Sequence, residues 1–162
     1  FLMAGFSYVF LWSRRPDLWI DPPALAWLAA IVAAYTVAAL LAAAAPRLGR
    51  REHGRLWGPL LMGFAAALAL SAWAVDIQTW TAAGLRPSAS SQGATVFAIL
   101  SWQAVLLATG VLMAGFLAAR AVAGVMHPSR PASLDTVSLF LVFTAAQGAV
   151  GVLLVRLFPG AG

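Results

Sequence analysis

The chain has 162 residues, of which 62% are apolar and 9% charged; with a mean hydropathy of +0.89 it has too few polar side chains to cover a water-soluble globule. All ten basic residues are arginine, against five acids, and the net charge of +5 with a pI near 11.4 fits arginines anchoring loops at an anionic membrane surface; the aromatic and basic interleaving that nucleic acid demands is missing. With no cysteine, this chain carries no disulfide, thiolate zinc site, iron–sulfur cluster or cysteine-ligated copper.

A helix needs about 20 apolar residues to cross roughly 30 Å of hydrocarbon, so uncharged windows of that length count the spans. Phe1 already lies inside the apolar run FLMAGFSYVFLWS, with neither an initiator Met nor a basic flank before it. Segment 1–13 is too short to cross alone and is expected to be the far half of a helix that begins upstream; no signal peptide is visible. Next, Pro22–Pro23 and the run ALAWLAAIVAAYTVAALLAAAA predict a helix over 23–45, opened by proline and closed by Pro46. The window between Arg55 and Asp76 predicts a helix over 56–80. After a polar PSASSQG loop, ATVFAILSWQAVLLATGVLMAGFLAA predicts 93–120, and the window between Asp135 and Arg156 predicts 135–157, stopped by Pro159. None of these shows the period-2 alternation of a barrel strand. The fold class is an all-α, polytopic transmembrane helix bundle of five segments, one domain spanning 1–162.

Five segments place the loops alternately on two sides. One side holds Arg47, Arg50, Arg51, Arg55, Arg120 and Arg130, the other Arg14, Arg15, Arg86 and Arg156, so the first side is expected to be cytoplasmic and the C-terminus periplasmic. Trp12, Trp19, Trp57 and Trp80 fall near helix ends, where indoles favour the interface; Trp27, Trp73 and Trp102 are deeper and are expected to pack inside.

A heme or copper centre within such a bundle needs imidazoles on the helices, yet both histidines, His53 and His127, lie in arginine-rich loops with no third ligand nearby, and no metal is assigned to them. Asp76 is the only acid within a span. About twenty residues, or roughly 30 Å, beyond Arg55, it falls at the outer interface and is expected to be hydrated and structural rather than a proton or cation site. With no ionisable group at the midplane, a self-sufficient pump or antiporter is disfavoured. Gln78, Gln103, Gln147, Ser71, Ser101 and Thr144 are polar residues on apolar helices, where their ordinary use is interhelical hydrogen bonding worth ~0.6–2 kcal/mol each. Gly110 with Ala114, and Gly148 with Gly151 and Val152, permit close helix approach. The stretch RLGRREHGR, Arg47 to Arg55, is expected to be an ordinary charged loop. No catalytic triad and no phosphate-cradling loop is present, so no catalytic, cofactor-binding or metal-binding residue is assigned.

Three strings resemble one family. FSYVFLWSRRPDLWIDPP (Phe6–Pro23), SSQGATVFAILSWQAVLLATGVLMAGFLAAR (Ser90–Arg120) and LDTVSLFLVFTAAQGAVGVLLVRLFPG (Leu134–Gly160) are similar to the last five helices of subunit III of heme-copper cytochrome c oxidases, in the branch where subunits I and III are fused. The final helix is the most specific match: Asp135, Leu139, Phe140, Thr144, Ala146, Gln147, Gly148, Gly151, Phe158 and Pro159 stand where the family pattern has them. Several polar positions depart from it: Gln103 and Leu106 replace two histidines, Leu141, Val142 and Phe143 replace a Trp-His-Tyr, and Thr79, followed by Trp80, replaces a glutamate. The resemblance implies a subunit without redox centres, packed in the bacterial cytoplasmic membrane against catalytic subunit I, which in the fused branch is part of the same polypeptide, and against other oxidase subunits. Heme and copper would reside on the catalytic subunit, with phospholipid bound by this one and proton uptake and stability supported by it. Two other readings are open: the helical part of a transporter or channel, and a structural membrane assembly protein.

Overall fold

The computed structural model describes residues 1–14, 19–50, 56–125 and 132–157. Five helices follow in chain order: α1 (Leu2–Arg14), α2 (Leu25–Gly49), α3 (Trp57–Ala82), α4 (Ser91–Val122) and α5 (Ala132–Leu157). The last four are each long and apolar enough to cross a membrane, which makes this an integral membrane protein of the helical-bundle class; no strand occurs among the described residues. The α2 helix packs against α3 and α5, and α4 closes the ring against α3 and α5, while α1 lies outside against α4 and the adjoining edge of α5.

The composition of the two surfaces follows from the solvent. In lipid there is no hydrophobic drive between helices, so their contacts are built from small side chains that let backbones approach. Ala38, Ala42, Ala45, Ala65, Ala66, Ala69, Ala72, Ala114 and Ala145 are buried, whereas Leu40, Leu60, Phe64, Leu112, Phe116, Leu139 and Phe143 point outward. The core is stacked in three layers along the bundle. One centres on Met62, Leu117 and Val137, the next on Ile31, Tyr35 and Leu107, and the last on Tyr8, Trp80 and Leu100.

The expected small-residue positions are used. Gly110 faces α5 so closely that a Cβ there would lie 2.8 Å from a Leu141 methyl, and one on Gly148 would lie 2.6 Å from the Tyr35 ring and 2.8 Å from Gln103 Nε2.

The helices begin and end close to the expected positions, with one informative exception. Pro46 does not close α2, which runs on to Gly49. A proline inside a helix has no N–H to give the carbonyl four residues earlier, here Ala42, and in a dry interior that orphan carbonyl would be costly. Ser138 of α5 supplies the missing donor, its hydroxyl hydrogen-bonding the Ala42 carbonyl at 2.8 Å. A neighbouring helix thereby allows the proline to stay. The α4 helix starts two residues early because Ser90 caps it, its hydroxyl accepting from the Gly93 N–H at 3.0 Å.

The indoles are redistributed. Trp80, expected at the interface, is fully buried; Trp27 and Trp102, expected inside, face outward at 50% and 48% exposure. Trp80 shares its helix face with Asp76, Ala72 and Ala69, which point inward, whereas Trp27 and Trp102 stand one residue off the inward positions Leu28 and Gln103. Trp73 packs at the core margin as expected, its indole N–H donating to the Leu100 carbonyl at 2.9 Å.

Ser138→Ala leaves the Ala42 carbonyl unpaired and is expected to cost ~1–3 kcal/mol in reversible unfolding in bicelles. The loss should vanish in a Pro46→Ala background, where the restored N–H takes that carbonyl. Gly148→Ala is expected to destabilise by ~1–3 kcal/mol through overpacking on Tyr35, while Gly63→Ala, whose added Cβ meets nothing within 4 Å, serves as the neutral control in the same assay.

Candidate functional site

The site begins with two opposite charges on helices that run in the same direction. Asp76 lies six residues before the end of α3 and Arg156 one residue before the end of α5, so both fall within about 9 Å of one end of the bundle. Their side chains are buried, at 2% and 1% exposure respectively, and form an ion pair of 2.6 Å. Both guanidinium bonds reach the same carboxylate oxygen: Arg156 Nη2 and Nε donate to Asp76 Oδ1 at 2.6 and 3.1 Å.

Two further guanidinium N–H groups are met by neighbours. Arg156 Nη2 also donates to the Thr79 hydroxyl, which in turn donates to the Asp76 backbone carbonyl at 2.8 Å, and Nη1 reaches the Pro23 carbonyl at 3.5 Å. The Trp80 ring lies beneath the cation, 5.7 Å from centroid to Cζ. A cation over an indole face gains from the ring quadrupole, most strongly where water is excluded.

The expectation of a hydrated Asp76 is therefore corrected. The carboxylate sits inside the bundle and is compensated by Arg156, which the charge spacing had placed with the loop arginines. Desolvating an isolated carboxylate is far more costly than desolvating one already paired and hydrogen-bonded, which is why the two charges go inside together.

Adjoining the pair is a small cavity between the four spanning helices and Phe1; its wall is mainly apolar, from residues such as Ile99, Leu100 and Val152, and Tyr35, Asp76, Gln103 and Gln147 supply its polar margin. Gln103 is buried and donates to the Thr144 carbonyl at 2.9 Å, fulfilling the interhelical role expected of it. Gln147 Nε2 is buried with no hydrogen-bond partner among the described residues, as are Thr144 Oγ1 and Trp80 Nε1. The other polar residues singled out do not join: Gln78 and Ser101 are exposed, and Ser71 bonds only the Ala67 carbonyl of its own helix at 2.9 Å. His53 and His127 lie outside the described residues, as does the whole of 51–55 from the RLGRREHGR stretch; Arg50 meets Asp135 in an exposed ion pair of 2.8 Å. Among the described residues no group of three histidine, aspartate or glutamate side chains is placed to hold a metal.

Sequence reasoning missed Arg156, Thr79 and Gln92. Gln92, buried in the first turn of α4, clamps the Ile20 backbone with both ends of its amide, accepting from the Ile20 N–H at 2.8 Å and donating to its carbonyl at 2.9 Å. One signal for Arg156 was available. Asp76 lies twenty-one residues beyond Arg55, and Arg156 twenty-one beyond Asp135, which puts opposite charges at equal depth on two parallel spans.

No family model, curated protein or solved structure matches this chain.

Breaking a buried ion pair from one side leaves an uncompensated charge, whereas replacing both partners does not. Asp76→Leu and Arg156→Met are each expected to destabilise by ~3–5 kcal/mol, and the double variant by clearly less than either alone. Thermal or denaturant unfolding in lipid measures all three.

Proposed function

We propose that this chain is the non-catalytic, subunit III-like membrane portion of a proton-pumping heme-copper terminal oxidase that passes electrons from cytochrome c to oxygen. It packs against the catalytic subunit in a bacterial cytoplasmic membrane, with its C-terminus periplasmic. The observation that carries this reading is the final-helix string. Thr144, Gly148 and Gly151, three of the positions it shares with the family pattern, are buried on the packing face of α5, and Gly148 sets its contact with Tyr35 and Gln103. Two further features support it. Thr79, at the family's glutamate position, belongs to the Arg156 cluster, where Asp76 one helical turn earlier supplies a carboxylate. An apolar groove of about 580 Å³ between α1 and α5, lined by Leu2, Met3, Phe143, Ala146 and Val150, has the character of an acyl-chain site and suits the phospholipid that the reading includes.

In this reading heme and copper belong to the catalytic partner, and the role of these residues is to pack, to hold lipid and to sustain proton uptake and turnover there. A second reading, the helical part of a transporter or channel, draws on the polar side chains of Tyr35, Gln103 and Gln147 gathered beside Asp76. Gentle solubilisation of the native membrane followed by affinity capture of this chain separates the two. The oxidase reading expects a partner that brings a reduced-minus-oxidised heme spectrum. A colourless preparation overturns it, and substrate-dependent flux after reconstitution into liposomes would replace it with the transporter reading.

A further inference from the structure

We propose that the cavity at the meeting point of the four spanning helices is a binding site for one ordered water molecule, which joins Gln147 of α5 to Asp76 of α3 and Tyr35 of α2. Three observations carry this. The cavity has about 10 Å³ of room for the centre of a water molecule, which matches a single water, and within a mainly apolar wall the polar side chains of Tyr35, Asp76, Gln103 and Gln147 converge on it. A buried water needs two to four polar partners. Gln147 Nε2 is a buried donor with no partner among the described residues, and Asp76 Oδ2 receives neither of the Arg156 bonds, both of which land on Oδ1. Tyr35, on the facing helix, lines the same cavity, and its ring and Gln103 Nε2 close on Gly148 from the same side of the space.

The chemistry selects water over a cation. Asp76 is neutralised by Arg156, so the site has no net negative charge to repay the dehydration of an ion, and the unpaired Gln147 amide nitrogen presents a donor where a cation requires acceptors. A neutral molecule that both accepts and donates satisfies the two sides at once. Gly148 helps shape the wall, since a Cβ there would lie 2.6 Å from the Tyr35 ring and 2.8 Å from Gln103 Nε2, both of which line the cavity.

The site is tested on the full chain in lipid nanodiscs by a structure at a resolution that shows ordered water. The expected result is one peak at hydrogen-bonding distance, ~2.7–3.2 Å, from Gln147 Nε2 and from Asp76 Oδ2 or the Tyr35 hydroxyl. A dry cavity, a Gln147 amide bonded directly to protein, or a peak that appears only with sodium overturns the proposal. Radiolytic footprinting gives a second readout that needs no variant, because hydroxyl radicals form where water is bound. Tyr35 and Tyr8 are equally buried, at 1% and 0% exposure, but only Tyr35 borders the cavity. Tyr35 is expected to be oxidised several-fold faster than Tyr8, with Gln147→Leu abolishing the difference. Equal rates in the unmodified chain also overturn the proposal.

Discussion

The Asp76–Arg156 pair fixes how α3 and α5 lie along one another, and much of the bundle follows from that. Two apolar helices rich in alanine and leucine can slide past each other at little cost, because lipid chains and side chains are alike to them. Opposite charges placed inside the bundle remove that freedom. A slip of one helical turn, about 5.4 Å, would separate the carboxylate from the guanidinium in a medium that supplies neither with a substitute. The cluster also draws in Thr79, Trp80 and the Pro23 carbonyl, tying the entry of α2 to the ends of α3 and α5.

The same logic recurs without charge elsewhere. Among the described residues, uncharged side chains donate to a backbone carbonyl on another segment: Tyr8 to Val155, Ser138 to Ala42, Trp73 to Leu100, Gln92 to Ile20 and Gln103 to Thr144. A helical carbonyl has a second lone pair free, so such a bond breaks nothing in the accepting helix, and at Ala42 it replaces the bond that Pro46 removed. Each is worth only ~0.6–2 kcal/mol, but each is directional, and together they specify a register that dispersion contacts among alanines leave loose. At one end of α5, Ser138 and Asp135 bind it to α2; at the other, Arg156 binds it to α3.

The spans were legible in the sequence because the bilayer dictates both their length and the exclusion of charge between their ends. The faces were not. A soluble helix advertises its inward side by contrast with a polar outward side, but here both sides are apolar, so Trp80 and Trp102 look alike until the neighbours are known. Pro46 was mistaken for a stop because the donor that rescues it, Ser138, lies ninety-two residues away. Asp76 lies near the end of its helix, as expected, but inside the bundle rather than in water. Arg156 had been counted as a loop charge, although it lies within the last turn of α5 and beside the buried carboxylate of Asp76.

What the cluster implies for function follows from its stoichiometry. A carboxylate that relays protons must exchange them with a neighbour, and so must be free of a permanent counter-ion for part of the cycle. Asp76 is held by two charge-assisted bonds from a guanidinium that stays charged, itself braced by Thr79 and Trp80, and loosening that grip would strand a charge in the bundle interior. Such an arrangement favours a pair that locks helices over one that cycles. A locked pair of this kind suits the scaffold role we propose, in which the reaction centre belongs to another subunit.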